Sequence, residues 1–303
     1  MQFGLSLPHF WQVASPEAIR RVSQRAEQLG YVGIWVSDHI VIPESAVDRF
    51  GSVFYEPLTV LGFAAACTST IRLGTTVLIV PYRNPIVTAK VLSTLDVLSG
   101  GRVTAGMGVG WTEDEFKALG VPFQERGALS DEYIAVFKAL WTQDKPVFHG
   151  KYMHFDHIAF EPKPLQTPHI PIWIGGNSKR AIRRAVALGD GWHPTRPLPG
   201  EVKTGVAYLR EVCSQRERDP SSLTIAVRQP LKFYDAPEAS VKRRPLLGST
   251  QKIIDDLGQY RDAGVQYVML DTFYSTAELA HETVESMIET MEHFAADVIP
   301  KLQ

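Results

Sequence analysis

Asp38 and His39 stand side by side immediately after Gly33–Ser37, an apolar run of the kind that forms a buried strand. An imidazole with a carboxylate neighbour can give or take a proton near neutral pH, although such a pair can also simply pack at a strand end. A second chemistry is suggested by Gly106, Gly108 and Gly110, glycines at every second position ahead of Trp111. Lacking Cβ atoms, they let backbone N–H groups approach a flat or anionic ligand closely. A third lies in Gly175-Gly176-Asn177-Ser178, which offers N–H groups, a helix start and a hydroxyl. Those are the means of holding a phosphate, and equally the means of capping a helix. Phe10, Trp11, Trp111, Trp192 and Phe273 fall at comparable positions. Their rings can sandwich a planar cofactor or substrate, or pack a rim.

Other chemistries find no support. No group of His, Cys, Asp and Glu has metal-centre spacing, and neither Gly-x-Ser-x-Gly nor a Walker sequence occurs. His149, His154 and His157 are close in sequence, but a hairpin carrying two histidines within six residues is a poor cage, so no metal is expected. The two cysteines, Cys67 and Cys213, sit in helical patterns and cannot build a disulfide framework, which fits a reducing compartment. A net charge of −2 argues against nucleic-acid or membrane-surface partners, and Arg183-Arg184 and Lys242-Arg243-Arg244 read as solvated faces. Gln2–Leu7 reads as a strand, with no leader pattern before it, and no apolar run approaches the roughly 18 residues of a membrane span. A soluble cytoplasmic protein is expected.

Holding such groups in register requires a regular scaffold, and the chain spells one. Apolar runs at Gln2–Leu7, Gly33–Ser37, Leu73–Val80, Arg102–Ala105, Pro171–Ile174, Gly191–His193, Leu223–Val227 and Tyr267–Leu270 predict eight strands. Helical patterns alternate with them: Pro16–Leu29, Pro57–Cys67, Ile86–Leu98, Leu129–Trp141, Ser178–Leu188, Gly200–Gln215, Ser249–Ala263 and Thr276–Ala295. Gly100-Gly101 ends the third helix where a left-handed residue is needed. Residues 144–169 interrupt the rhythm with a hairpin around His149-Gly150-Lys151, and a long loop follows the seventh strand to Gly248. Within that loop, the segment Ala236–Pro245 could close over a site. Eight strands alternating with eight helices predict one (β/α)8 TIM barrel, in the α/β class, over residues 1–303. An open dinucleotide-binding sheet is disfavoured, because Leu7-Pro8-His9-Phe10-Trp11 stands where a Gly-x-Gly-x-x-Gly would follow the first strand. In a barrel the residues singled out above fall at the C-terminal ends of the strands, where ligands bind.

Taken in order, several segments resemble the bacterial luciferase-like family of flavin and deazaflavin oxidoreductases. They are Gly30-Tyr31-Val32-Gly33-Ile34-Trp35-Val36-Ser37-Asp38-His39, the stretch from Leu73 to Pro85, and Leu95-Asp96-Val97-Leu98-Ser99-Gly100-Gly101-Arg102. Gly106 to Trp111 with Glu115, Pro171 to Gly176 and Gly189-Asp190-Gly191-Trp192 complete the series, which runs over nearly the whole chain. Ser37-Asp38-His39 is more similar to the branch using the deazaflavin coenzyme F420 than to the FMN-dependent monooxygenases. The resemblance implies that Asp38 binds the polar edge or hydroxyls of the cofactor and that His39 lies near its ring and the substrate. Thr76-Val77 matches the family's bulge, often a non-proline cis peptide, against the back of the ring. Gly108, Val109 and Gly110 would line the polar edge or tail, and Gly175 and Gly176, beside Ser178, would hold the phosphate. Trp111 stands where the family's sugar-phosphate dehydrogenases carry a carboxylate. Its indole donates one hydrogen bond but cannot titrate, which leaves His39 as the titratable catalytic candidate. The implied activity is hydride transfer between F420 and a small neutral organic substrate, in a homodimer as is common in the family. An FMN-dependent monooxygenase fed by a separate reductase is the alternative, and a non-catalytic flavin-binding barrel a further one.

Overall fold

The apolar runs close into a barrel. The computed structural model describes residues 1–234, 244–273 and 282–302. Its barrel strands are β1 (Gln2–Ser6), β2 (Gly33–Val36), β3 (Arg72–Thr75), β4 (Val103–Gly108), β5 (Ile172–Gly175), β6 (Gly191–His193), β7 (Thr224–Pro230) and β8 (Tyr267–Asp271). Each pairs in parallel with the next, and β8 returns to β1 with Leu270 opposite Leu5. Because a strand's side chains alternate, one set faces the helices and the other fills the barrel. Leu5, Ile34, Leu73, Val103 and Ile172 belong to the large outer core. Trp35, Trp173, Ala226, Tyr267 and Met269 form a separate inner cluster. Trp35 and Trp173 stack at 5.0 Å, and the Trp35 indole N–H donates to the Tyr267 hydroxyl at 2.8 Å. Gly74 makes this packing feasible, since a Cβ there would lie 2.2 Å from Trp35 Cε3.

The helices start and stop where side chains dictate. Ser15, Asn84, Ser178 and Ser249 each accept a backbone N–H from the first turn of the helix that follows. Such caps are worth about 1 kcal/mol each. Gly100 ends Pro85–Ser99 in the left-handed region at φ 72°, as its residue type predicts. No helix among the described residues is long and apolar enough to cross a membrane.

Several features depart from the sequence reading. The apolar run Leu73–Val80 is not one strand: β3 ends at Thr75, and Leu78–Ile79 resumes beside Met107-Gly108. Both halves are buried, so hydropathy alone shows no break. A short helix, Glu113–Ala118, precedes the next long one, which begins at Arg126 rather than Leu129. The insertion does form a hairpin, but its strands are only Phe148–His149 and His154–Phe155. The last helix is described over Val284–His293 and runs into a π-helical turn at Phe294–Val298. Residues 235–243 and 274–281 lie outside the described residues, and with them most of Ala236–Pro245 and the start predicted for the last helix.

Candidate active site

A cavity of about 360 Å³ opens at the C-terminal ends of the strands. The β2 end supplies Ser37, Asp38 and His39, and the β3 end supplies Thr76, Val77, Ile79 and Tyr82. Phe10, Phe50, Phe54 and Trp111 give it aromatic walls, and Thr195, Arg196 and Arg228 line the far side.

His39 is held by the short helix. Its Nδ1 lies 2.7 Å from Glu115 Oε2, and the same oxygen accepts the Tyr82 hydroxyl at 2.9 Å. Glu115 Oε1 accepts the N–H groups of Ile40 and Val41 at 2.7 and 3.3 Å. Burial would raise the Glu115 carboxyl, but these donors, His39 foremost, bring it below the usual carboxylate range. The ionised carboxylate can only accept, so Nδ1 carries the proton. Nε2 is then the nitrogen left for the cavity, and it bonds no described residue. The His39 ring is tilted at 5.0 Å from Phe50 and edge-on to Phe54 at 5.2 Å and to Trp111 at 6.2 Å.

Asp38 is built in more firmly. Arg83 forks onto both its oxygens at 2.6 and 2.9 Å, and the Ile79 N–H donates to Oδ2 at 2.9 Å. Complete burial pushes this carboxyl up, against the pull of Arg83. Through Asp38, Arg83 ties the β2 end to the segment after β3, and it reaches on to Glu56, the N-cap of helix Pro57–Cys67, at 2.8 Å.

Between them lies Thr76-Val77, joined by a cis peptide bond. Arg228, paired with buried Asp271 at 2.9 Å, donates from Nη1 to the Thr76 carbonyl at 2.9 Å. The Thr76 hydroxyl meets His193 Nε2 at 2.9 Å, while His193 Nδ1 faces the Ala226 carbonyl at 3.3 Å. Since that carbonyl can only accept, Nδ1 holds the His193 proton and Nε2 accepts from Thr76. The Val77 side chain fills the space left by two glycines. A Cβ on Gly108 would lie 2.4 Å from Val77 Cγ2, and one on Gly175 would lie 2.6 Å from Val77 Cγ1. The arrangement is an aromatic-walled slot with one oriented imidazole and a clamped backbone segment.

A family model described as luciferase-like monooxygenase matches residues 1–282. The chain belongs to the luciferase-like monooxygenase family. Among relatives of this luciferase-like protein is an uncharacterized protein of Mycobacterium tuberculosis, 32% identical over 277 residues, covering 86% of this chain and 96% of the relative. The FMNH2-dependent dimethylsulfone monooxygenase of Pseudomonas putida is 36% identical over 144 residues, which cover 46% of this chain and 39% of that enzyme. Among solved structures, an F420-dependent secondary alcohol dehydrogenase in complex with an F420–acetone adduct superposes with a TM-score of 0.82. It is 20% identical, covering 100% of this chain and 99% of that one.

In this luciferase-like barrel, the residues singled out from the sequence fall into two groups. Asp38, His39, Thr76, Val77 and Trp111 come together in the cavity lining. Gly108, Val109 and Gly110 do not line it. Gly108 and Gly175 instead accommodate Val77, and a Cβ on Gly110 would lie 2.6 Å from Phe116. The Gly176 N–H is engaged by the His193 carbonyl at 3.3 Å, and the Ser178 hydroxyl caps its own helix through the Ala181 N–H. What this segment retains for an anion is the first turn of Lys179–Leu188, whose leading N–H groups have no partner within the helix. Of the rim aromatics, Phe10 and Trp111 line the cavity, whereas Trp192 lines a separate cavity between the helices Lys179–Leu188 and Pro199–Gln215. Sequence reasoning assigned no role to Glu115, Tyr82, Arg83, Arg228 or His193. One signal was available for Glu115: it belongs, with Gly106 to Trp111, to the series of segments by which the sequence resembles the family.

Proposed function

We propose that this protein is an oxidoreductase that transfers hydride between coenzyme F420 and a small neutral organic substrate, with His39 moving the accompanying proton. The observation that carries this reading is the Glu115–His39 pair, which fixes Nδ1 as the protonated nitrogen and leaves Nε2 to the cavity. The residues present fit a deazaflavin. A slot walled by Phe10, Phe50 and Phe54, with the clamped Thr76-Val77 segment on another side, suits a planar ring. The start of helix Lys179–Leu188 suits a phosphate beyond it. Bound there, the cofactor supplies the hydride chemistry.

The chain's own residues do the rest. Arg228 and His193 hold Thr76 from opposite atoms, so that the backbone against the ring keeps its place. Arg83 and Asp38 hold the β2 end and, through it, His39. Trp111, about half exposed at 55%, covers the substrate side and supplies apolar surface where a carboxylate would select a charged or sugar-like partner. A homodimer in a reducing cytoplasm is the setting this reading expects. A second reading, FMN-dependent oxygenation served by a separate reductase, is favoured by the likeness to the dimethylsulfone monooxygenase.

The test is turnover of neutral secondary alcohols and ketones, followed by deazaflavin absorbance with and without oxygen. Oxygen-independent turnover, lowered about 10²–10⁴-fold in His39→Asn with cofactor affinity retained, supports the proposal. Turnover that needs FMN and oxygen supports the second reading. Wild-type rates in His39→Asn exclude His39 from the chemistry.

A further inference from the structure

Outside the lining of the cavity, the insertion hairpin brings three potential metal ligands onto one exposed face. His149 and His154 are direct partners across the antiparallel pair, and Asp156 follows His154 by two residues. Residues two apart on an extended strand share a face, and so does a directly opposed cross-strand partner. The geometry agrees: one ligand atom from each of the three lies within 4.8 Å of the others. His149 Nδ1 is 3.0 Å from a ring nitrogen of His154. Two nitrogens that far apart, each about 2.05 Å from a shared ion, subtend about 94° at it, which suits neighbouring coordination positions of a first-row ion.

The hairpin is also anchored, and that is what sequence spacing could not show. Its other face turns inward, with buried Phe155 stacked on Phe148 at 5.9 Å. Its tip wraps the Glu132 carboxylate, which accepts the N–H groups of Lys151, Tyr152 and Met153 at 2.8, 2.7 and 2.7 Å. The two imidazoles are therefore fixed in register by a neighbouring helix rather than by the turn alone. Preorganisation of this kind lowers the ordering cost of binding an ion.

We infer that His149, His154 and Asp156 form a surface site for a divalent transition ion such as Zn²⁺, with solvent completing the coordination. The donor set of two imidazoles and one carboxylate favours such an ion over Mg²⁺, which prefers oxygen ligands alone. The site does not depend on the reaction proposed for the cavity.

Calorimetric titration with Zn²⁺ tests it, using tag-free protein freed of metal by chelation. The expected result is one site per chain of micromolar or tighter affinity. Binding should weaken by roughly tenfold or more in His149→Ala and in His154→Ala, as expected for loss of one ligand. It should persist in millimolar Mg²⁺. Zn²⁺ should also raise the melting temperature of the wild type and not of the double variant. Because both side chains are exposed, the variants should melt like the wild type without metal. Failure to bind below 1 mM, or equal affinity in the wild type and the His149→Ala/His154→Ala variant, overturns the inference.

Discussion

Glu115 seats His39: its Oε2 lies 2.7 Å from the imidazole Nδ1, and its remaining lone pairs are taken by Tyr82, Ile40 and Val41. One carboxylate thereby sets the ring's tautomer, its orientation and the start of the loop that carries it. In Glu115→Gln the amide would present N–H groups to at least one of these donors. With the amide NH2 toward Nδ1, His39 can answer only by moving its proton to Nε2, the nitrogen that faces the cavity; with it reversed, the Ile40 and Val41 N–H groups lose their acceptor. Turnover should fall about 10²-fold or more while cofactor affinity stays within a few-fold, and stability should drop by about 1–3 kcal/mol. Steady-state kinetics with a binding titration separate the two effects; a parallel loss of affinity would make Glu115 a cofactor-binding residue instead.

Acid should destabilise the fold through its buried histidines. His9 and His193 are wholly buried, and burial brings both from 6.5 down to about 4. Each is satisfied as a neutral ring, His9 between Leu7 and Ser37 and His193 between Thr76 and Ala226. Between pH 6.5 and 4 the unfolded chain takes up protons that the folded one refuses, so stability falls as pH falls. The loss is about 3 kcal/mol for each histidine by pH 4. Urea unfolding at steps from pH 7 to pH 4.5 should show this slope. His193→Gln should remove close to half of it; an unchanged slope would show that His193 is protonated in the native state.

Gly175 and Val77 occupy one space between them. Gly175→Ala places a Cβ 2.6 Å from Val77 Cγ1 and should cost about 1–3 kcal/mol. Val77→Ala in the same chain should relieve part of that cost, giving a coupling of about 0.5–3 kcal/mol in a double-mutant cycle. Gly106→Ala admits no such relief, because its Cβ would lie 1.9 Å from the backbone carbonyl oxygen of Thr75. Denaturant midpoints of these four variants and the wild type decide the point. Additive effects of Gly175→Ala and Val77→Ala would contradict it.

The barrel was legible because each strand is a short apolar run and each helix carries its own stop, as at Gly30 and Gly100. Asp38-His39 was legible because a polar pair at the end of such a run stands out. What escaped were groups defined by contacts distant in sequence. Arg228 holds the carbonyl of a residue 152 positions away, and Glu115 meets His39 across 76. No local pattern encodes either pairing. Glu115 adjoins Glu113 and Asp114 in sequence, and only the structure separates it, buried, from those two exposed acids. The glycines have a packing role that their sequence pattern did not suggest. Gly108 and Gly175 suggest open N–H groups for a ligand, and the structure uses them to seat the Val77 side chain.

The central claim is that the slot bounded by Thr76-Val77 and His39 accepts a deazaflavin. The most direct measurement is a titration of the purified protein with F420 and, in parallel, with FMN. F420 should bind saturably, about tenfold or more tightly than FMN, a difference of about 1.4 kcal/mol. Tighter binding of FMN, or no saturable binding of F420, would contradict the account.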